Sequence, residues 1–191
     1  MGIDHSLACI IMASGHAKRF GANKLLYPID GTPLCELVFS HHPAEFFKQT
    51  LVVTPYAAVA LAASMHGLSI VENSDENNDI ATTIRLGMEA LAPNIEGCLF
   101  SVCDQPWLSR DTVAAVTAAF LKDKTRIVAA SWQGKRGNPV LFPRSTFEEL
   151  RTLPPQCSGG KVIAAHPDLL TLVNAVSARE LIDIDTKQNV E

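Results

Sequence analysis

The sequence is short of several things, and each shortage excludes a class of protein. It has no excess of positive charge: 16 Lys and Arg stand against 20 Asp and Glu, a net charge of −4. A surface that grips nucleic acid or an anionic membrane needs the opposite balance. Charged residues are only 19% of the chain and apolar residues 47%, which excludes disorder and a coiled coil. The five cysteines (Cys9, Cys35, Cys98, Cys103 and Cys157) are odd in number and contain no C-x-x-C pair. A reduced, cytoplasmic chain is therefore expected rather than a disulfide scaffold. The opening Met-Gly-Ile-Asp-His-Ser lacks the basic stretch of a signal peptide, so none is expected. A charge-free run from Gln49 to Val71 is broken by Pro55 and by His66-Gly67. It reads as strand, helix and strand rather than as a membrane span. The sequence shows no repeat, low-complexity tract or linker, and 191 residues can bury one core without staples. A single domain over 1–191 is expected.

What is present is an alternation. Short apolar, β-branched runs at Leu7–Met12, Leu51–Thr54, Leu68–Val71, Gly97–Val102 and Ile127–Ala130 read as strands. Helical patterns lie between them at Leu34–His41, Ala57–His66, Ile80–Leu91 and Thr112–Lys122. In the third of these, Ile80, Ile84, Met88 and Leu91 share one face. Ser109 ahead of Asp111 is placed to cap the fourth. Continuous apolar strands alternating with helices imply a mostly parallel sheet covered on both faces, an α/β protein with three α/β/α layers. Asn138–Pro143 reads as a further strand. Its prolines, Pro139 and Pro143, put it at an edge or in a hairpin. Pro154, Pro155, Gly159 and Gly160 mark a loop. The adjacent histidines His41-His42, ahead of Pro43, read as surface or cap residues.

The stretch richest in chemistry is 12–24, Met-Ala-Ser-Gly-His-Ala-Lys-Arg-Phe-Gly-Ala-Asn-Lys, directly after the first strand. In a parallel sheet, ligands bind beyond the C-terminal strand ends, where this loop must sit. It has two glycines, three cations (Lys18, Arg19, Lys24) and no acid, a local +3 in a chain of net −4. Small residues let backbone N–H groups approach an anion, and Arg19 and Lys24 add fixed charge. The ligand that fits is a polyphosphate. The same composition also describes an ordinary strand-to-helix turn with solvated cations. The spacing is neither G-x-x-x-x-G-K-[ST] nor G-x-G-x-x-G, which disfavours a P-loop kinase and a dinucleotide-binding oxidoreductase.

This loop resembles the signature L-A-x-G-x-S-x-R-x-G, followed shortly by Lys, of nucleotidyltransferases with a Rossmann-like sheet. Further motifs follow in order. Cys103-Asp104-Gln105-Pro106 resembles that family's metal-binding turn, Gly137-Asn138-Pro139-Val140-Leu141-Phe142 its G-[HN]-P-V-L-F segment, and Asp183-Ile184-Asp185-Thr186 its D-I-D-T. Together they span about residues 7 to 186, and within the superfamily they look most like the molybdenum cofactor cytidylyltransferases.

The resemblance implies a Rossmann-like nucleotidyltransferase fold, and transfer of CMP from CTP to the terminal phosphate of molybdopterin with release of pyrophosphate. It implies Mg²⁺ as cofactor, a molybdenum hydroxylase or its chaperone as recipient, and neither nucleic acid nor membrane as partner. Arg19, Lys24 and Asp104 would be catalytic. Asp104 and Asp185 would hold the metal, with Asp183 alternating to the other side of an extended segment. Ala13, Ser14 and Gly15 would contact the nucleotide together with Arg19, Lys24, Thr82 and Thr83; Asn138 and Lys161 would contact the second substrate. Asp104 before Gln105-Pro106 also reads as a turn cap, and Thr82 and Thr83 equally as helix-capping residues. The chain departs from the pattern at Ser14, at Asp79 where the family has glycine, and at Lys187. Ser14 is bulkier than glycine, which favours a pyrimidine over a purine. Three alternatives stay open: a guanylyltransferase, a transferase acting on a sugar or polyol phosphate, and a non-catalytic accessory of molybdenum hydroxylase maturation.

Overall fold

Leu7–Met12 (β1) is apolar at every position because both of its faces are covered. Leu7, Cys9 and Ile11 point into one hydrophobic cluster, and Ala8 and Ile10 into the other. In the computed structural model, which describes residues 6–15, 20, 23–42, 44–75, 77 and 79–186, this strand is the spine of a seven-stranded sheet. After β1 come a small antiparallel pair, Pro28–Ile29 (β2) with Thr32–Pro33 (β3), and the helix Leu34–Ser40 (α1). Gln49–Thr54 (β4), Ala57–Met65 (α2), Ser69–Glu72 (β5) and Ile80–Glu89 (α3) follow. Then come Gly97–Val102 (β6), Arg110–Lys122 (α4), Ile127–Trp132 (β7), Lys135–Pro143 (β8), Phe147–Arg151 (α5), Gly159–Ala165 (α6) and Leu170–Asn174 (β9).

The strand order is β5-β4-β1-β6-β8-β7-β9. All neighbours run parallel except β8, which is antiparallel to both β6 and β7. Helices α1, α2 and α4 bury Leu34, Val59 and Phe120 against one face, and α3, α5 and α6 bury Met88, Leu150 and Val162 against the other. The three-layer, mostly parallel α/β/α architecture is the one the alternation implies. The charge-free run is indeed β4, α2 and β5, and among the described residues no helix is long and apolar enough to cross a membrane.

Three local expectations are corrected. The strand carrying Asn138 is in a hairpin, as Gln133 and Gly134 both take positive φ between β7 and β8, but it lies inside the sheet and not at its edge. Pro139 is tolerated there because pairing with β6 stops at Val140, while the register with β7 shifts between Ala129 and Ser131. No ladder bond is asked of its missing N–H. The Asn138–Pro139 peptide is cis. Next, Gly159 and Gly160 open α6 and are not loop: the Ser158 hydroxyl accepts from the Gly160 N–H at 3.3 Å. A Cβ on Gly159 would come within 2.9 Å of Phe142 Cζ, so only glycine lets the helix approach β8 so closely. Finally, of the pair read as surface or cap residues, His41 is the C-cap of α1, whereas His42 is not on the surface. It is 3% exposed, and its Nδ1 lies 2.7 Å from the Val38 carbonyl oxygen.

Candidate functional site

The carboxyl ends of β1, β4 and β6 meet at one rim. β1 feeds directly into Ala13–Gly15, and β6 into Cys103–Asp104. Between them opens a cavity of about 190 Å³, bordered by Ser14, Gly15, Lys24, Thr83, Cys103 and Asp104. A Cβ at Gly15 would meet no atom within 4 Å. The glycine therefore leaves open the space through which a ligand would reach the loop backbone.

Lys24 organises this rim. Asn23 accepts from the Leu25 N–H at 3.1 Å and starts a short 3-10 turn over Lys24–Leu26, which Leu25 anchors in the core. That turn aims Lys24 inward, where it is 7% exposed. Its ammonium donates to Asp104 Oδ2 at 2.8 Å and to the Ile184 carbonyl at 2.9 Å, and stands 3.6 Å from Asp185 Oδ1. One cation thus joins Lys24 to segments 80 and 160 positions further along the chain. The segment carrying Asp185 is tied down along its length. The Ile184 N–H donates to the Asp104 carbonyl at 2.8 Å, and Gln105 Nε2 donates to Asp183 Oδ1 at 2.8 Å. Glu180 accepts from the Ser109 N–H and hydroxyl at the start of α4. Asp183 is half-buried; burial, followed by the Asp104 and Asp185 charges, pushes its carboxyl above the usual range. With Asp183 engaged by Gln105, the carboxylates that converge on the Lys24 ammonium are Asp104 and Asp185. Both are hard oxygen donors around a position that already stabilises positive charge. Among the described residues no group of three or more Asp, Glu, His or Cys side chains forms a metal cluster.

The cavity's far wall is a polar network. Asn73, at the end of β5, donates to Ser14 Oγ at 3.3 Å and to Thr83 Oγ1 at 3.1 Å. Ser14 in turn donates to the Val53 carbonyl at 3.1 Å, and Thr83 to the Asp79 carbonyl at 3.2 Å. The Ala13 N–H is taken by the Val53 carbonyl at 2.9 Å. Asp79 accepts from the Gln156 N–H at 2.8 Å, which joins the start of α3 to the loop before α6. Cys103 is buried, and desolvation raises its thiol well above the normal range, which favours the thiol over the thiolate.

A second cavity, of about 230 Å³, shares Met12, Ile80 and Val102 with the first. Its walls include Phe100, Val140 and Phe142, and Arg136, Asn138 and Ser158 border it.

Of the residues singled out in the sequence, Ala13, Ser14, Gly15, Lys24, Thr83 and Asp104 line the first cavity, and Asp185 reaches Lys24 beside it. Asn138 lines the second cavity. Thr82 lines neither and accepts from Arg85 at 3.4 Å. Lys161 borders a separate surface hollow with Glu149 and Leu153. Arg19, Lys18 and Lys187 lie outside the described residues. Sequence reasoning missed Asn73 and Arg136. The signal for Asn73 was its place as the first uncharged polar residue after the third strand.

The family model described as the MobA-like NTP transferase domain matches residues 9–169. No curated protein is significantly similar in sequence. Among solved structures, Rv0371c from Mycobacterium tuberculosis H37Rv superposes with a TM-score of 0.81 at 20% identity, covering 99% of this chain and 96% of its own. Its manganese complex superposes at 0.72 and 20% identity, over 96% and 95%. A nucleotidyl transferase from Methanothermobacter thermautotroptrophicus gives 0.82 at 18% identity, over 96% and 94%. A CMP:2-keto-3-deoxy-manno-octonic acid synthetase complexed with CTP gives 0.74 at 12% identity, over 96% and 94%.

Proposed function

The chain belongs to the family of MobA-like NTP transferase domains, and on that footing we propose that it transfers CMP from CTP to the terminal phosphate of molybdopterin. An oxygen of the acceptor phosphate attacks the α-phosphorus of CTP. The new O–P bond forms as the bond to the β-phosphate oxygen breaks, and pyrophosphate leaves. Such a reaction asks the protein for alignment and charge neutralisation.

The observation that carries this reading is the convergence of Lys24, Asp104 and Asp185 beside Gly15. Lys24 braces the triphosphate with Arg19 and stabilises charge on the departing pyrophosphate. Asp104 and Asp185 would hold a divalent cation, Mg²⁺ in this reading, which would supply positive charge against the phosphates. Asn73 and Thr83 position Ser14 at the cavity wall, and the volume these side chains occupy favours the smaller pyrimidine base. The apolar walls of the adjoining cavity suit a ring system better than a sugar, whose hydroxyls need dense polar partners. Transfer of the product to a molybdenum hydroxylase or its chaperone belongs to the same reading.

Thermal unfolding with nucleotides tests the assignment. With Mg²⁺ and CTP at 100 times Kd, stabilisation of about 2.7 kcal/mol is expected. GTP at equal concentration should give clearly less, and Asp104→Asn should remove the Mg²⁺-dependent part. Equal stabilisation by GTP would move the chain to the guanylyl reading.

A further inference from the structure

Helix α2 is as apolar outside as inside. Val59 and Ala63 are buried against the core, yet the opposite side carries Ala57, Ala58 and Leu61, all exposed, and Met65, which is 82% exposed. Ser64 is the helix's one polar side chain. A helix that is apolar all round is ordinarily covered all round. The sequence around it holds no Asp, Glu, Lys or Arg from Gln49 to Val71.

The strand beside it is open. β5 is an edge of the sheet and, among the described residues, pairs with β4 alone. Its register with β4 runs from Ser69 to Glu72 without a bulge, and the strand contains neither lysine nor proline. Edges that must stay unpaired carry such guards. Val71 turns to the α3 side of the sheet. Ile70, 41% exposed, turns to the α2 side and borders a surface hollow with Ala57 and Ala60.

An extended peptide added to this edge would leave α2 bare, and an anionic membrane would find no basic residue to hold. A second copy of the chain covers both features. When two β5 strands pair antiparallel about a two-fold axis, their α2 helices lie side by side on one face of the joined sheet. Helix α2 rides over β4 and β5. Strands about 4.8 Å apart then put the two helix axes about 10 Å apart, the separation at which helices pack. In such an isologous contact a residue near the axis meets its own like, so a charge there repels itself. This surface brings none.

We propose that the chain forms a two-fold dimer through the α2–β5 edge, with Leu61 and Ile70 inside the contact and two seven-stranded sheets joined into one. No residue of α2 or β5 lines either cavity, so the contact stands whatever reaction the rim performs.

Sedimentation of the full chain and amide hydrogen exchange test it. Wild type should sediment as a dimer at about 100 μM. Leu61→Arg and Ile70→Lys, each at an exposed side chain, should keep the circular dichroism of wild type. Each should weaken association at least about 100-fold, because two like charges then face each other across the axis. Leu172→Arg, at the opposite sheet edge, should leave the dimer intact. In wild type the amides of Ser69–Glu72 should exchange faster on dilution, as the partner strand leaves. A wild-type monomer at about 100 μM, a dimer that survives both Leu61→Arg and Ile70→Lys, a dimer dissociated by Leu172→Arg, or exchange at β5 indifferent to concentration would each overturn the proposal.

Discussion

Gly15 and His42 show how differently two residues depend on their surroundings. Gly15 has φ outside the positive range and open space where a Cβ would project. Gly15→Ala should therefore leave the unfolding midpoint within about 0.5 kcal/mol of wild type. On the proposed transferase reading its methyl would intrude on the nucleotide's path to the loop backbone, so KM for CTP should rise with little change in stability. His42 is the reverse case, a residue of the fold alone. Burial holds it neutral, with a pKa lowered from 6.5 to about 4. Folding excludes a proton that the unfolded chain takes up, so this contribution is full above pH 6.5. It is lost progressively as pH falls towards 4, up to about 3 kcal/mol. Urea midpoints at pH 7 and pH 5 should diverge more in wild type than in His42→Gln. Neither residue could be read so clearly from the sequence. Position in the motif marked Gly15, whereas His42 beside His41 and Pro43 looks like any helix end until its ring is seen under the core.

The elements that hold the site were legible in proportion to their burial. β1 and β6 match their apolar runs residue for residue, because strands covered on both faces leave an uninterrupted signal. β9 lies at the sheet edge with no fully buried residue along its length, and Thr171 interrupts its short apolar run. α6 was obscured by its opening glycines, which are present because Phe142 leaves no room for a side chain. Gly97, at the start of β6, makes the same point more severely: a Cβ there would fall 2.5 Å from Phe120 Cε1. Gly97→Ala should cost about 1–3 kcal/mol or more, and Phe120→Leu in the same chain should recover part of it. Denaturant unfolding of the two single variants and the double variant measures the coupling. Additive losses would show that the two side chains do not compete for that space.

For the molecule as a whole, alternation gave the layers and the direction of the sheet, and with them the rim where ligands gather. It could not give the two long-range joins that complete the site. One brings Ile184 and Asp185 to Lys24; the other swings Arg136 across the second cavity. Both depend on backbone placed by tertiary packing: a C-terminal segment pinned through Gln105 and Ser109, and a strand bent at Asn138–Pro139. The net charge of −4 also takes on a pattern. Lys24 faces two carboxylates beside the first cavity, and among the described residues Arg136 has no carboxylate partner at the second.

Pyrophosphate release, followed with CTP and GTP side by side in Mg²⁺ with and without molybdopterin, tests the assignment most directly. Release should require CTP, the metal and molybdopterin together, and should fall at least about 100-fold in Asp104→Ala. Release from GTP exceeding that from CTP, or no release from either with molybdopterin supplied, would refute it.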